Sequence, residues 1–261
     1  MNGLTSSPAA LAAATPDPSL WSQFWSYLTT AENWTGDRGI TALLVAHVEI
    51  SVTAVAIALA LALVPAVLLG HAKRGGFLAV SVVNVGRALP SFAIIALILP
   101  FSLEWGWGLG FWPTCVALVL LAVPPVFTNT YTGVRDVDPG TVEAASAMGM
   151  TPRKVVTGVE VPNAAPLIIT GVRVSAVQVV ATATLGALVG FRCLGSLIVE
   201  GFAQQDDGKL LTGAFLVAVL SLLTEALFSL VHRWATPWAD RPERRSGAWG
   251  RRRPEPVGLD L

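Results

Sequence analysis

Long apolar runs dominate this chain, with neither the alternation of strands nor a regular polar face. A helix needs about 20 mostly apolar residues to cross a bilayer. Ile50–Leu69 is such a run and carries no charge. Phe77–Phe101 is a second, interrupted by Arg87, and Trp107–Tyr131 is a third, with Pro124 and Pro125 inside it. Ala164–Val189 is a fourth, carrying Arg173, and Leu211–Val231 is a fifth, carrying Glu225. Internal proline and glycine are no objection, because neighbouring helices satisfy the backbone groups they free. Ahead of the first run, Trp21, Phe24, Trp25 and Leu28 form a short amphipathic stretch suited to the membrane surface.

Composition agrees. Of 261 residues, 53% are hydrophobic and 13% charged, against about 25% charged in soluble domains; mean hydropathy is +0.63. The expected class is an all-α membrane protein of about five transmembrane helices. Residues 1–43 read as a tail with an interfacial helix, 44–232 as the membrane domain, and 233–261 as a basic tail of disordered composition. The first residues lack a basic n-region and an apolar core, so no signal peptide is expected. Net charge is zero, which points to no nucleic-acid partner. The two cysteines, Cys115 and Cys193, belong to no Cys/His cluster, so neither a metal site nor redox chemistry is expected.

Charge distribution says more than net charge. Lys73, Arg74, Arg135, Arg153, Lys154 and the arginines after position 232 all fall on one side of a five-span path. Arg38, Arg192 and Lys209 fall on the other. Positive residues favour the cytoplasm, so the N-terminus is expected outside and the C-terminus inside. Trp105, Trp107 and Trp112 flank one loop and Trp234 and Trp238 follow the last span, as interfacial belts do.

Charged groups within spans are costly and are functional candidates. Arg87, Arg173 and Glu225 fall at similar depth, so Glu225 is expected to neutralise Arg173 or Arg87 in a buried polar layer. That layer is either a gate or a static pair fixing helix register. Asn84, Ser91 and Asn129 are candidate pathway residues; Asn84 and Ser91, one turn either side of Arg87, are alternatively ordinary interhelical hydrogen-bond formers.

Between the third and fourth spans lies Glu143–Pro162, EAASAMGMTPRKVVTGVEVP, neither apolar enough to enter a membrane nor irregular enough for a plain loop. Thr141 is placed to cap a first helix, with Glu143 in its first turn and Ala144, Ala145 and Met148 on a smooth apolar side. Gly149 is a natural stop. Thr151 and Pro152 open a second helix with Val155, Val156 and Val159 as its stripe, and Pro162 is expected to end it before the fourth span. Such a helix–turn–helix suits docking in a partner's groove or packing on its own bundle.

The spacing Glu143-Ala144-Ala145, three residues, Gly149, nine residues, Val159-x-Val161-Pro162 resembles the EAA loop of ABC-importer permeases, EAA-x3-G-x9-I-x-LP, with valine for Ile at 159 and for Leu at 161. The resemblance implies the type I ABC-importer permease fold, with the loop at 135–162 seated on a separate ATPase. The chain has no GxxxxGK[ST] phosphate loop, so ATP and Mg would be bound by that partner and no cofactor by this chain. PPVFTNTYTGV, containing Asn129, is similar to a segment of osmoprotectant permeases, as are GRALPSFAIIAL and Gly171-Val172-Arg173. Arg87 stands where those permeases more often have Gln, and Phe191-Arg192-Cys193-Leu194-Gly195 replaces their usual glycine-rich turn.

The resemblance implies a non-catalytic translocation subunit in the bacterial inner membrane. Its expected partners are two ATPase subunits, an extracytoplasmic substrate-binding protein and a second permease. Its expected cargo is glycine betaine, carnitine, choline or proline betaine. A methionine-type importer permease is the nearest alternative. An ATP-independent channel or secondary transporter is a further one, and an intramembrane enzyme lacks a nucleophile–base pair.

Overall fold

The computed structural model describes residues 19–73, 81 and 90–237. Asn84, Arg87, Trp238 and the basic tail lie outside the described residues. All regular structure among the described residues is helical: α1 (Leu20–Thr29), α2 (Ile40–His71), α3 (Ser91–Glu104), α4 (Phe111–Arg135), α5 (Pro139–Ala147), α6 (Pro152–Val155), α7 (Val161–Thr182), α8 (Leu194–Gln204) and α9 (Asp207–Ala235). Four helical stretches among the described residues are long and apolar enough to span a membrane: Ile40–His71, Phe111–Arg135, Pro152–Val189 and Asp207–Ala235. Of the expected second span, the described part is the shorter apolar helix Ser91–Glu104, which starts straight after Pro90.

The first and last spans run longer than hydropathy alone suggested. The first span begins at Ile40 rather than Ile50, because His47 is sheltered inside the bundle and Glu49 stays on the exposed surface. Along its inner face Ala54, Ala58, Ala62, Ala66 and Gly70 recur every fourth residue, all buried. Small side chains at this spacing let two helix backbones approach closely, which is the main source of packing between helices in a bilayer. The stripe meets α4, where Ile50, Ala54 and Ala58 share a core with Cys115, Leu118, Ala122 and Val179. α3 covers another side of α4 through Ile94, Ile95, Ala117 and Leu121.

Hydrogen bonds between spans reach the backbone beside two irregular stretches. The buried Ser175 hydroxyl of α7 donates to the Ala122 carbonyl of α4 at 3.0 Å, just ahead of Pro124 and Pro125. Past Thr182 the chain tightens into a 3-10 helix over Ala183–Val189. Near that transition the buried His47 ring hydrogen-bonds the Val180 carbonyl through Nε2 at 2.9 Å.

One element has no counterpart in the sequence reading. The expected outer loop contains α8, whose Leu194 and Leu197 pack on Ile40 and Leu43. Burial raises the pKa of the Cys193 thiol at the helix's N-terminus. Lys209 Nζ of α9 donates to Glu200 Oε2 of α8 at 2.6 Å. The expected interfacial helix is α1, with Trp21 and Trp25 exposed and Phe24 buried against Phe215 of α9, ring centroids 5.4 Å apart.

Candidate functional site: the module at 135–162

α4 ends at Arg135, whose side chain pairs with Asp136 at 2.8 Å and lies over the Tyr131 ring. Asp138, not Thr141, caps α5: its carboxylate accepts from the Thr141 backbone N–H at 2.8 Å and from the Thr141 hydroxyl at 2.9 Å. Those two bonds, the backbone one first, lower the pKa of the Asp138 carboxyl. Pro139 follows at the first helical position, where a missing N–H costs nothing. Glu143 therefore lies one turn further along than a Thr141 cap would place it.

Gly149 is the stop that the sequence indicates. Its φ is +83°, the left-handed conformation that glycine adopts without penalty. The Gly149 N–H donates to the Ser146 carbonyl and the Met150 N–H to the Ala145 carbonyl, the paired bonds of a Schellman ending. A Cβ at Gly149 would meet nothing within 4 Å. Glu143, Ala144, Met148 and Gly149 face outward, Met148 with 77% of its surface exposed, whereas Ala145 and Val155 turn inward. The apolar residues of the module are thus shared: some bind it to itself, and others stand free.

Thr151 sits at the head of the second helix but makes no side-chain cap, and Pro152 is its first residue. Pro162 does not end the module. A π turn over Val156–Glu160 joins α6 directly to α7, with the Val161 N–H reaching back to the Val156 carbonyl. Pro162 has no N–H for an ordinary helical bond, and the wider turn absorbs that gap. The Asn163 side-chain amide donates to the Val159 carbonyl at 2.7 Å. Val159 is half-buried and Pro162 exposed. The module's second half is consequently a continuous helical extension of the fourth span.

Glu160 was not singled out by sequence reasoning, since it occupies an unspecified position in the loop pattern. It is 2% exposed, and its Oε2 lies 2.7 Å from Nδ1 of His71, the last residue of α2.

Within the spans, Arg173 of α7 and Glu225 of α9 form an ion pair. It is not a buried layer in the single chain: the side chains are 37% and 39% exposed. Ser91 is half-buried at the start of α3. Asn129 donates to the Pro125 carbonyl one turn back at 2.8 Å. A Cβ at Gly171 would lie 2.8 Å from the Asn129 Cβ and 2.9 Å from the Pro125 carbonyl oxygen. The Asn129 segment and the Gly171-Val172-Arg173 segment therefore meet at one close crossing of α4 and α7. Beside Glu225, α2, α7 and α9 border a groove of about 450 Å³, lined by residues such as Val52, Leu59, Val180, Leu223 and Leu227, with Phe228 the one aromatic among the described lining residues. One ring makes no aromatic cage for a quaternary ammonium ion.

Residues 54–237 match the family described as binding-protein-dependent transport system inner membrane component. Among individual proteins, the chain is 36% identical over 201 residues to the carnitine transport permease protein OpuCB of Listeria monocytogenes, covering 77% of this chain and 90% of that one. It is 34% identical over 191 residues to the choline transport system permease protein OpuBB of Bacillus subtilis (strain 168), covering 73% and 86%. Among solved structures, an inward-facing form of the MetNI methionine ABC transporter superposes with a TM-score of 0.66 at 22% identity, over 76% of this chain and 96% of that one. The chain is a multi-pass membrane protein that belongs to the binding-protein-dependent transport system inner membrane component family.

Proposed function

We propose that this chain is the permease subunit of an ATP-driven importer of osmoprotectants, moving glycine betaine, carnitine, choline or proline betaine. The observation that carries the reading is the outward-facing module at 135–162, with Glu143, Ala144, Met148 and Gly149 free on its surface and its second half continuous with a span. A partner ATPase that binds ATP and Mg would seat this ridge and displace it when it closes on nucleotide. Displacement of this continuous extension would tilt the span behind it and so let a cavity between spans change side.

The proposed topology has the module in the cytoplasm and the N-terminus outside. In its support, Lys73, Arg135, Arg153 and Lys154 gather near the module end, while Lys209 lies near the other. The second permease, a copy or a paralogue, would meet the surface that carries Arg173 and Glu225, and that pair would gate the path. Substrate choice would rest with the extracytoplasmic binding protein, because the groove beside Glu225 offers one aromatic ring. The cargo reading draws on relatives named for carnitine and choline; the methionine-type alternative has fold likeness alone.

The test is reconstitution in proteoliposomes with the cognate ATPase and binding protein. Uptake of labelled glycine betaine, carnitine or choline should require enclosed ATP and binding protein together. Uptake that persists without the ATPase, or that follows methionine instead, would overturn it.

A further inference from the structure

Both legs of the module meet the same helix end. The incoming leg is α4, and at its close the backbone of α2 is packed hard against it: a Cβ at Gly70 would lie 2.9 Å from the Val134 Cβ and 3.0 Å from the Tyr131 carbonyl oxygen. The outgoing leg is the π turn, and its buried Glu160 bonds His71, the residue after Gly70, at 2.7 Å. These partners are 89 residues apart in sequence. Among the described residues Glu160 has no other side-chain hydrogen-bond partner. A buried carboxylate separated from its partner is strongly unfavourable, so the contact resists being pulled apart. A π turn is a single widened turn within a helix, frequently found at functional positions, and here it is the turn that carries the carboxylate.

We infer that His71 and Glu160 form a strut that delivers displacement of the module to α2, a span that is not its neighbour in the chain. His71 and Glu160 act here as positioning residues. When the module moves, α7 follows through the continuous helix, and α2 follows through the strut and the Gly70 contact. Two spans are then driven by one docked ridge. The inference rests on the importer reading above.

The experiment uses the full transporter in proteoliposomes with its ATPase and binding protein, and reads ATP hydrolysed per labelled carnitine, choline or glycine betaine taken up. Wild-type uptake is the reference, so failure of the importer reading shows there, and failure of the strut shows only in the variants. His71→Ala should raise ATP consumed per substrate on the order of tenfold, within the range of coupling between linked sites, with binding-protein-stimulated hydrolysis kept. The deciding variant is the double replacement His71→Leu with Glu160→Leu. Replacing both partners of a hydrogen bond by apolar groups of similar size can be nearly neutral for folding, so the double variant separates a strut from a packing role. Persistent uncoupling in the double variant supports the strut. Restoration of the wild-type ratio would overturn it, as would hydrolysis and uptake falling in proportion.

Discussion

Gly149 carries the sharpest single-residue demand in the module. Its neighbourhood is empty, so the cost of a side chain there is conformational rather than steric. For an ordinary L-residue the left-handed conformation costs about 1–2 kcal/mol, while asparagine adopts it readily. Gly149→Val should therefore destabilise the α5–α6 turn by about 1–2 kcal/mol and weaken association with the ATPase; Gly149→Asn should keep the fold. Thermal unfolding of the purified permease checks the first effect, and co-purification with the ATPase checks the second. An Asn variant that folds normally but no longer binds would place Gly149 at the contact itself. This stop was legible in the sequence because a glycine's conformational role is local. The cap was misplaced by three residues although its signal was present: Asp138 is followed by Pro139, and proline favours the first helical position. Glu160 gave no such signal, because its partner lies 89 residues away and only the folded backbone brings them together.

Among the elements, α2 depends on small side chains more than on large ones. Its buried stripe is Ala54, Ala58, Ala62, Ala66 and Gly70, while Leu61, Val64 and Leu68 are more than half exposed. In a bilayer those exposed residues gain little by being enclosed, since lipid is as apolar as they are. Ala58→Leu should force α2 from α4 and destabilise the permease by about 1–3 kcal/mol, as overpacking of a filled core does. Leu61→Ala should leave stability nearly unchanged. Unfolding midpoints in one detergent compare the two directly, and equal effects would contradict the proposed packing. Hydropathy located the spans because their length and lack of charge need no partner to be read. It missed α8, an 11-residue helix whose buried residues are Leu194, Gly195, Leu197 and Gly201, too few large apolar side chains to mark a face. Pro162 reads as a helix end for a different reason: proline commonly breaks a helix, and a π turn that accommodates it leaves no mark in the sequence.

At the scale of the whole molecule, Arg173 and Glu225 make the strongest demand for something beyond this chain. The apolar window of α9 is only 6% buried, which lipid can satisfy for leucine and phenylalanine but not for an ion pair. A charged side chain at the centre of a span costs about 2.5–3.5 kcal/mol even on the mildest scale. A pair with more than a third of each side chain exposed would meet that cost unless protein or water covers it in the assembled transporter. The proposed gate follows: the pair faces the second permease or the path between the two copies, and its strength differs between the states of the cycle. A double-mutant cycle with Arg173→Leu and Glu225→Leu should then show a coupling energy of about 0.5–3 kcal/mol in uptake rate. The same cycle run on thermal stability supplies the comparison. A gate gives more coupling in transport than in stability, whereas a static pair gives the same in both. No coupling in transport would remove the pair from the mechanism. Covering by water has its own signature: in a background with Cys115 and Cys193 replaced by serine, Glu225→Cys should react with a membrane-impermeant maleimide in the assembled transporter, at a rate that changes when ATP and binding protein are added.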